Sequence, residues 1–299
     1  MSIILDGKLI RQRILDSLRP RVAALIKASR PPGLAVVLVG HDAGSEVYVR
    51  NKIKACAELG IYSEKLTPPV TVTTAELLSI VDALNKRPDI DGILVQMPLP
   101  KQVDARAVLE AVAADKDADG FHPTNVGHLV ADRPGPRACT PSGVMELLRQ
   151  YKIQVAGKHA VVVGRSDIVG KPMALMLLHA NATVTICHSR TSNLAEVCRS
   201  AEILVAAIGR AAHIRREFIK PGAVVIDVGM NRVPDASSTS GTRLIGDVAP
   251  IAMAELSSYY TPVPGGVGPL TIAMLMSNTV ALAERRLLVG ATSEPRLQA

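Results

Sequence analysis

Chemistry is most concentrated between Gly157 and Pro172, GKHAVVVGRSDIVGKP, where an apolar run, His159 to Val163, empties into a loop carrying Gly164 and Gly170. The unrelieved valines predict a parallel strand buried on both faces. Gly164 lets the backbone turn sharply and approach a ligand, and Gly170 is expected to open the next helix with its N–H groups aimed at an anion. Strand, phosphate loop and helix start together suit a dinucleotide. Ser166, however, stands where a strict G-x-G-x-x-G places its second glycine, so spacing alone leaves an ordinary βα turn open.

Roughly 20 residues further on, the run Thr183 to Cys187 ends in His188-Ser189-Arg190-Thr191, where NAD-binding units carry an acid for the ribose 2′-hydroxyl. No carboxylate stands there. Ser189 and Arg190, with Arg165 in the first loop, suit a 2′-phosphate, which points to NADP over NAD.

In the first half, Tyr48 and Lys52 are four residues apart and share a helix face. Lys52 is expected beside an apolar stripe of Val49, Ile53, Cys56 and Ala57, and its spacing alone is that of a lysine laying its stem along Tyr48. Gln96 follows the apolar run Ile90 to Val95 at the end where α/β sheets bind ligands, and could equally be a capped loop amide. Asp115, Asp117 and Asp119 put three carboxylates in a short loop, but EF-hand order and its terminal Glu are missing, so hydrogen-bonding carboxylates are expected rather than a metal site. Cys56, Cys139, Cys187 and Cys198 show neither CxxC nor mixed Cys/His metal spacing and read as reduced thiols.

Elements that position these residues follow from periodicity and punctuation. Asp6 to Ala28 reads as an amphipathic helix with Leu9, Ile10, Ile14, Leu18, Val22 and Leu25 on its apolar stripe and a break at Pro20. Leu34 to Val39 reads as a buried strand, Asp42 as the N-cap of a helix from about Ala43 to Leu59 with Gly60 as its stop, and Thr73-x-x-Glu76 as a capping box. Further strands are expected at Ile61 to Leu66, Ile203 to Ala207 and Ala223 to Asp227, with helices at Asp104 to Ala113, Ser142 to Tyr151 and Leu270 to Leu288. Alternating strands and helices imply parallel α/β architecture. Pro234 to Gly241 reads as a flexible surface loop and the chain after Gly290 as a frayed tail.

Composition narrows the function classes. The 299 residues are 48% hydrophobic and 20% charged, enough for two cores and unlike a disordered chain. No apolar run is read as a membrane span, so an intracellular protein with no membrane partner is expected. The net charge of +7 is scattered, and with 2% aromatics the chain offers few platforms for bases, so no nucleic acid partner is expected and small anionic metabolites fit better.

Five blocks occur in one order: Tyr48-Val49-Arg50-Asn51-Lys52, Gly92 to Pro100, Lys116 to Phe121, Gly164 to Pro172 and Thr261 to Pro269. Together they closely resemble the bifunctional methylenetetrahydrofolate dehydrogenase/methenyltetrahydrofolate cyclohydrolase family, over about residues 5 to 285. The resemblance implies an α/β fold of two domains: a parallel α/β folate-binding domain, 1–138 completed by 270–299, and a Rossmann-like NADP-binding domain, 139–269, with the active-site cleft between them. It implies NADP-dependent oxidation of 5,10-methylenetetrahydrofolate to the methenyl cation and its hydrolysis to 10-formyltetrahydrofolate, in a cytoplasmic homodimer whose small-molecule partners are tetrahydrofolate derivatives.

The same resemblance implies that Lys52 assists hydrolysis with Gln96 as its partner, that Tyr48 stacks on the aminobenzoyl ring, and that Asp119 accepts hydrogen bonds from the pterin. Pro264, Gly265 and Gly266 would pass close to the folate, while Gly164, Arg165, Ser166, Ser189, Arg190 and Met230 would hold NADP. The alternatives are another NADP dehydrogenase on a similar frame and a dinucleotide-binding module without turnover. The chain departs from the family pattern at Leu270, where Met is usual, and at Ala249-Pro250, where an acid is common.

Overall fold

A run of β-branched residues too apolar to alternate can bury both faces only in a parallel sheet covered by helices on each side. The computed structural model of the protein describes residues 2–238 and 241–293 and has two such sheets, one in each of two compact units.

The first unit comprises Met1–Gln12, Leu129–Arg133 and Ala138–Thr271. Its strands are β1 (Ile3–Ile4), β5 (His159–Val163), β6 (Thr183–Cys187), β7 (Ile203–Ala206), β8 (Val224–Asp227) and β11 (Tyr259–Tyr260), all parallel in the order β1-β11-β8-β7-β5-β6. From β5 the chain winds outward to β6, then crosses to β7 on the other side, so the switch in direction falls between β5 and β7. An antiparallel hairpin, β9 (Asn231–Pro234) and β10 (Thr242–Ile245), stands apart from the sheet. It flanks the expected loop Pro234 to Gly241, of which residues 239 and 240 lie outside the described residues.

The second unit, Arg13–His128, Pro134–Arg137 and the chain from Ile272 on, holds β2 (Gly33–Val37), β3 (Tyr62–Leu66) and β4 (Gly92–Val95) in the order β3-β2-β4, again parallel, with the switch between β2 and β4. One face carries Ala35, Val37, Ile93 and Val95 against Leu77, Val81 and Val108 from α3 (Thr74–Asn85) and α4 (Ala105–Ala111). The capping box at Thr73 and Glu76 forms in both directions, Asp42 accepts from the Ser45 N–H at 2.7 Å, and Gly60 closes α2 (Ala43–Leu59) with φ of 76°.

Several expectations are corrected. Helix α1 (Gly7–Ala28) runs through Pro20 without a break. Pro20 is on its exposed side, where the carbonyl left without a donor can meet water, while buried Leu15, Leu18, Val22 and Leu25 hold the helix against a cost of about 3 kcal/mol. Leu9 is exposed and Leu15 takes its place in the core. On α2, Ala57 is exposed, Ile53 only partly buried, and the buried stripe is Ser45, Val49, Lys52, Ala55, Cys56 and Leu59. In the first unit, two-residue β1 near the N-terminus pairs with β11 of the later sheet. Helix α10 (Val267–Ser293) starts before Leu270 and continues past Gly290 through Ser293, where a frayed tail was expected; the rest of that tail, from 294 on, lies outside the described residues. Its Val267–Leu288 stretch, unlike the sequence expectation, is long and apolar enough to cross a membrane, yet 56% of the 18-residue window that makes it so is buried inside the protein, as in a core helix.

The end of α10 is tied by charge. Asp91, with its side chain wholly buried, faces Arg30 at 2.8 Å and Arg286 Nε at 2.6 Å, and accepts from the Gly33 N–H at 2.9 Å. Removing the carboxylate strands two cations, so Asp91→Ala is expected to cost about 3 kcal/mol, measured by urea unfolding; a loss below about 1 kcal/mol would contradict a closed cluster.

Candidate functional site

Two groups of candidate residues form, one in each unit. In the second unit, Lys52 lies in the buried stripe of α2 at 8% exposure, and its Nζ donates to Gln96 Oε1 at 2.9 Å. Burying an ammonium is costly without a partner. Gln96 is held in turn, its N–H bonded to the Val37 carbonyl at 2.8 Å and its Nε2 donating to the Met97 carbonyl at 2.7 Å. The pair therefore spans the ends of β2 and β4, the switch point of this sheet and the position where open α/β sheets bind ligands. Tyr48, partly buried, is one turn before Lys52 on α2.

The three-carboxylate loop divides its work. Asp115 is exposed. Asp117 is buried and accepts from the N–H groups of Gly120 (2.9 Å) and His122 (2.8 Å) and from Asn125 Nδ2 (2.8 Å), which makes it the loop's internal brace. Asn278 of α10 donates to the Ala118 carbonyl at 2.8 Å and fixes the loop from behind. Asp119, partly exposed, has no hydrogen bond or ion pair among the described residues. Desolvation raises its pKa to about 6, opposed by the Lys52 charge and reinforced by Asp117. No group of three or more His, Cys, Asp or Glu that could hold a metal occurs among the described residues.

In the first unit, the glycine loop follows β5. Gly164 has φ of 133°, and a Cβ there would meet the Ala207 carbonyl oxygen at 2.2 Å, so the ends of β5 and β7 touch backbone to backbone at the switch point. Gly170 opens α7 (Gly170–His179) in a way the sequence did not suggest. Its N–H and that of Val169 are directed to Ser166 Oγ, at 3.3 and 3.2 Å, so Ser166 rather than an anion caps these donors. The glycine is required because a Cβ would lie 2.3 Å from the Gly164 carbonyl oxygen.

Beside this loop, Gly164 N–H donates to the Cys187 carbonyl at 2.9 Å, bringing Arg165 next to the turn after β6. That turn closes on itself through His188 N–H to Thr191 Oγ1 at 2.9 Å and Arg190 N–H to His188 Nδ1 at 3.1 Å. Arg165, Ser189 and Arg190 are exposed, and neither arginine is ion-paired among the described residues. Two unpaired guanidinium groups and a hydroxyl, with no competing carboxylate at the turn, fit the 2′-phosphate of NADP. Met230, 41% exposed, follows β8.

Pro264, Gly265 and Gly266 also fall in the first unit. Gly7 at the start of α1 donates to the Gly265 carbonyl at 3.0 Å, and a Cβ on Gly7 would stand 1.7 Å from the Gly266 carbonyl oxygen. The N-terminus of α1 thus seats this turn, a role no motif in the sequence announced. Of the two departures, Leu270 is wholly buried against Gly143, and Ala249-Pro250 simply starts α9 (Pro250–Leu256), with Pro at its first turn.

A Rossmann-type sheet with a glycine-gated loop at its switch point, next in sequence to a smaller parallel unit bearing an amine–amide pair at its own, defines the two-domain α/β class that binds NAD(P). Residues 5–119 match the tetrahydrofolate dehydrogenase/cyclohydrolase catalytic domain and residues 138–287 the tetrahydrofolate dehydrogenase/cyclohydrolase NAD(P)-binding domain, so the chain belongs to that family. The bifunctional protein FolD of Solibacter usitatus (strain Ellin6076) is 62% identical over 302 residues, covering 96% of this chain and 99% of that protein. The crystal structure of the bifunctional enzyme FolD from Campylobacter jejuni is similar with a TM-score of 0.91 at 44% identity, covering 96% of this chain and 100% of that one. Trypanosoma brucei FolD, complexed with NADP cofactor and inhibitor, is similar with a TM-score of 0.91 at 40% identity, covering 96% and 98%.

The charge environment of Asp119 is testable by carboxylate 13C NMR. Its midpoint is expected at about 6. Lys52→Met, which removes the charge that lowers it, should move the midpoint upward. A wild-type midpoint near the ordinary aspartate value of about 4, or a downward move in the variant, would contradict the arrangement.

Proposed function

We propose that the chain catalyses two consecutive reactions of one-carbon metabolism: NADP-dependent oxidation of 5,10-methylenetetrahydrofolate to 5,10-methenyltetrahydrofolate, and hydrolysis of that cation to 10-formyltetrahydrofolate. The observation that carries this reading is the buried Lys52–Gln96 pair at a ligand-binding strand edge, within a chain of this family.

Bound NADP+ supplies the two-electron acceptor for the first reaction. The chain's own contribution there is orientation, since no protein acid or base has to act on the transferring C–H bond. Gly164 and Ser166 shape the loop that receives the cofactor, Arg165, Ser189 and Arg190 bind its 2′-phosphate, and Met230 contacts its nicotinamide end. Tyr48 stacks on the aminobenzoyl ring of the folate, and Pro264, Gly265 and Gly266 let backbone pass close to it.

Asp119, whose carboxylate has no hydrogen bond or ion pair among the described residues, accepts hydrogen bonds from the pterin when ionised. Because its pKa is raised, this acceptor is present above about pH 6 and is lost as pH falls through that value.

In the second reaction water adds to the methenyl carbon and loses one proton to give a neutral carbinol; the C–N5 bond then breaks as the carbinol O–H proton is lost and N5 takes up a proton, which leaves the formyl group on N10 and releases one proton net. Lys52 Nζ, aimed by Gln96 Oε1, handles the proton of the attacking water. The protein works as a cytoplasmic homodimer.

Paired assays test the reading. The wild type should form NADPH from methylenetetrahydrofolate faster with NADP+ than NAD+ at equal concentration, and separately consume methenyltetrahydrofolate above the buffer rate. Lys52→Met should lose at least about 100-fold of the hydrolytic rate, the lower end of general acid–base contributions, while retaining NADPH formation. A full cyclohydrolase rate in the variant would remove Lys52 from its role, and an NAD+ preference would remove the 2′-phosphate assignment.

A further inference from the structure

At the C-terminal edge of β7 and β8, two buried aspartates hold three loops together through N–H donors. Asp227 ends β8 at 1% exposure and Asp247 follows β10 at 0%. Neither forms an ion pair with Lys or Arg among the described residues. Asp247 Oδ2 accepts from the N–H groups of Ile208 (2.7 Å) and Gly209 (2.9 Å), and its Oδ1 from the N–H of Arg210 (2.8 Å) and from Asn231 Nδ2 (2.9 Å). Asp227 Oδ1 accepts from the N–H groups of Gly229 (2.9 Å) and Asp247 (2.8 Å), and its Oδ2 from that of Val248 (2.9 Å).

The packing is reciprocal. A Cβ on Gly229, two residues after Asp227, would stand 2.2 Å from Asp247 Oδ1. A Cβ on Gly246, one residue before Asp247, would stand 1.8 Å from Asp227 Oδ2. Each aspartate therefore occupies the space left by the glycine beside the other, and both glycines are dictated by the carboxylates rather than by their own φ. A buried carboxylate costs several kcal/mol unless donors meet it, and here backbone N–H groups of three separate loops are spent on doing so.

These loops are residues 207–210 after β7, 228–231 after β8 and 246–249 after β10. The first adjoins the switch point, where the Ala207 carbonyl oxygen sits against Gly164, and the second carries Met230. We infer that Asp247, braced by Asp227, is a positioning residue that presets the 207–210 and 228–231 loops for the nicotinamide half of the cofactor. The inference rests on the reading of this edge as the NADP site. Asp247 touches no reacting atom; it acts by aligning three consecutive N–H groups and the start of the hairpin, which removes the ordering cost from cofactor binding.

The test uses the full-length protein without turnover. NADPH binding is followed by its fluorescence, folate-site binding by titration with a non-reactive folate analogue, and folding by thermal unfolding. Asp247→Asn places an amide NH2 against N–H donors and should weaken NADPH at least tenfold. Asn231→Ala removes one partly buried donor and should weaken it about threefold, with the folate-analogue Kd unchanged within twofold in both. If Asp247→Asn does not fold, Asn231→Ala decides alone. Wild-type affinity for NADPH in a folded Asn231→Ala protein, or equal weakening of both ligands in step with lost stability, overturns the positioning role. A wild-type protein that does not bind NADPH refutes the cofactor reading, and this inference with it.

Discussion

Parallel strands can be joined only by crossovers, and this constraint places every loop that follows a strand on the same edge of its sheet. The candidate residues obey it in both units. Gln96 follows β4, and Lys52 lies on the helix entered from β2; Gly164, Ser189, Met230 and Pro264 follow β5, β6, β8 and β11. Where the winding reverses, the chain leaves neighbouring strand ends toward opposite sides of the sheet, and there the Lys52–Gln96 bond and the Gly164–Ala207 contact are found. Hydrophobic β-branched strands thus decide the chemistry indirectly, by deciding which loop ends meet.

The second constraint is the cost of burying charge. The protein meets it in different ways at different places. Asp91 is met by arginines, Asp117, Asp227 and Asp247 mainly by backbone N–H groups, and Lys52 by an amide oxygen. Burial nonetheless pushes Asp227 up to about 7 against its three N–H donors. Asp119 differs, a crowded carboxylate with no hydrogen bond or ion pair among the described residues, raised to about 6. Carboxylates met by N–H groups brace loops, whereas Asp119 is the one assigned to a ligand in the proposed reading.

Most of the framework was legible in the sequence because its signals are local. Strand β5 coincides residue for residue with its apolar run, and the N-cap at Asp42, the capping box at Thr73 and the stop at Gly60 stand where their local signals put them. What could not be read depends on distant neighbours. Strands β1 and β11 have two residues each and exist only through pairing with one another and with β8. Lys52 breaks the hydrophobic pattern of its own stripe, so periodicity set it beside the buried face until the structure put it within. The bracing role of Asp117 and the Asp227–Gly246 and Asp247–Gly229 contacts join residues whose partners lie in other loops, and Gly170 was credited with anion donors that Ser166 had already taken.

The proposed function requires that oxidation and hydrolysis share one folate site, around Lys52 and Gln96. Its most direct measurement is inhibition by one non-reactive folate analogue, with Ki determined separately for NADPH formation and for methenyltetrahydrofolate hydrolysis under identical conditions. A single shared site predicts competitive inhibition of both with Ki values equal within about twofold. Strong inhibition of one reaction with the other untouched would mean two folate sites and would contradict the account.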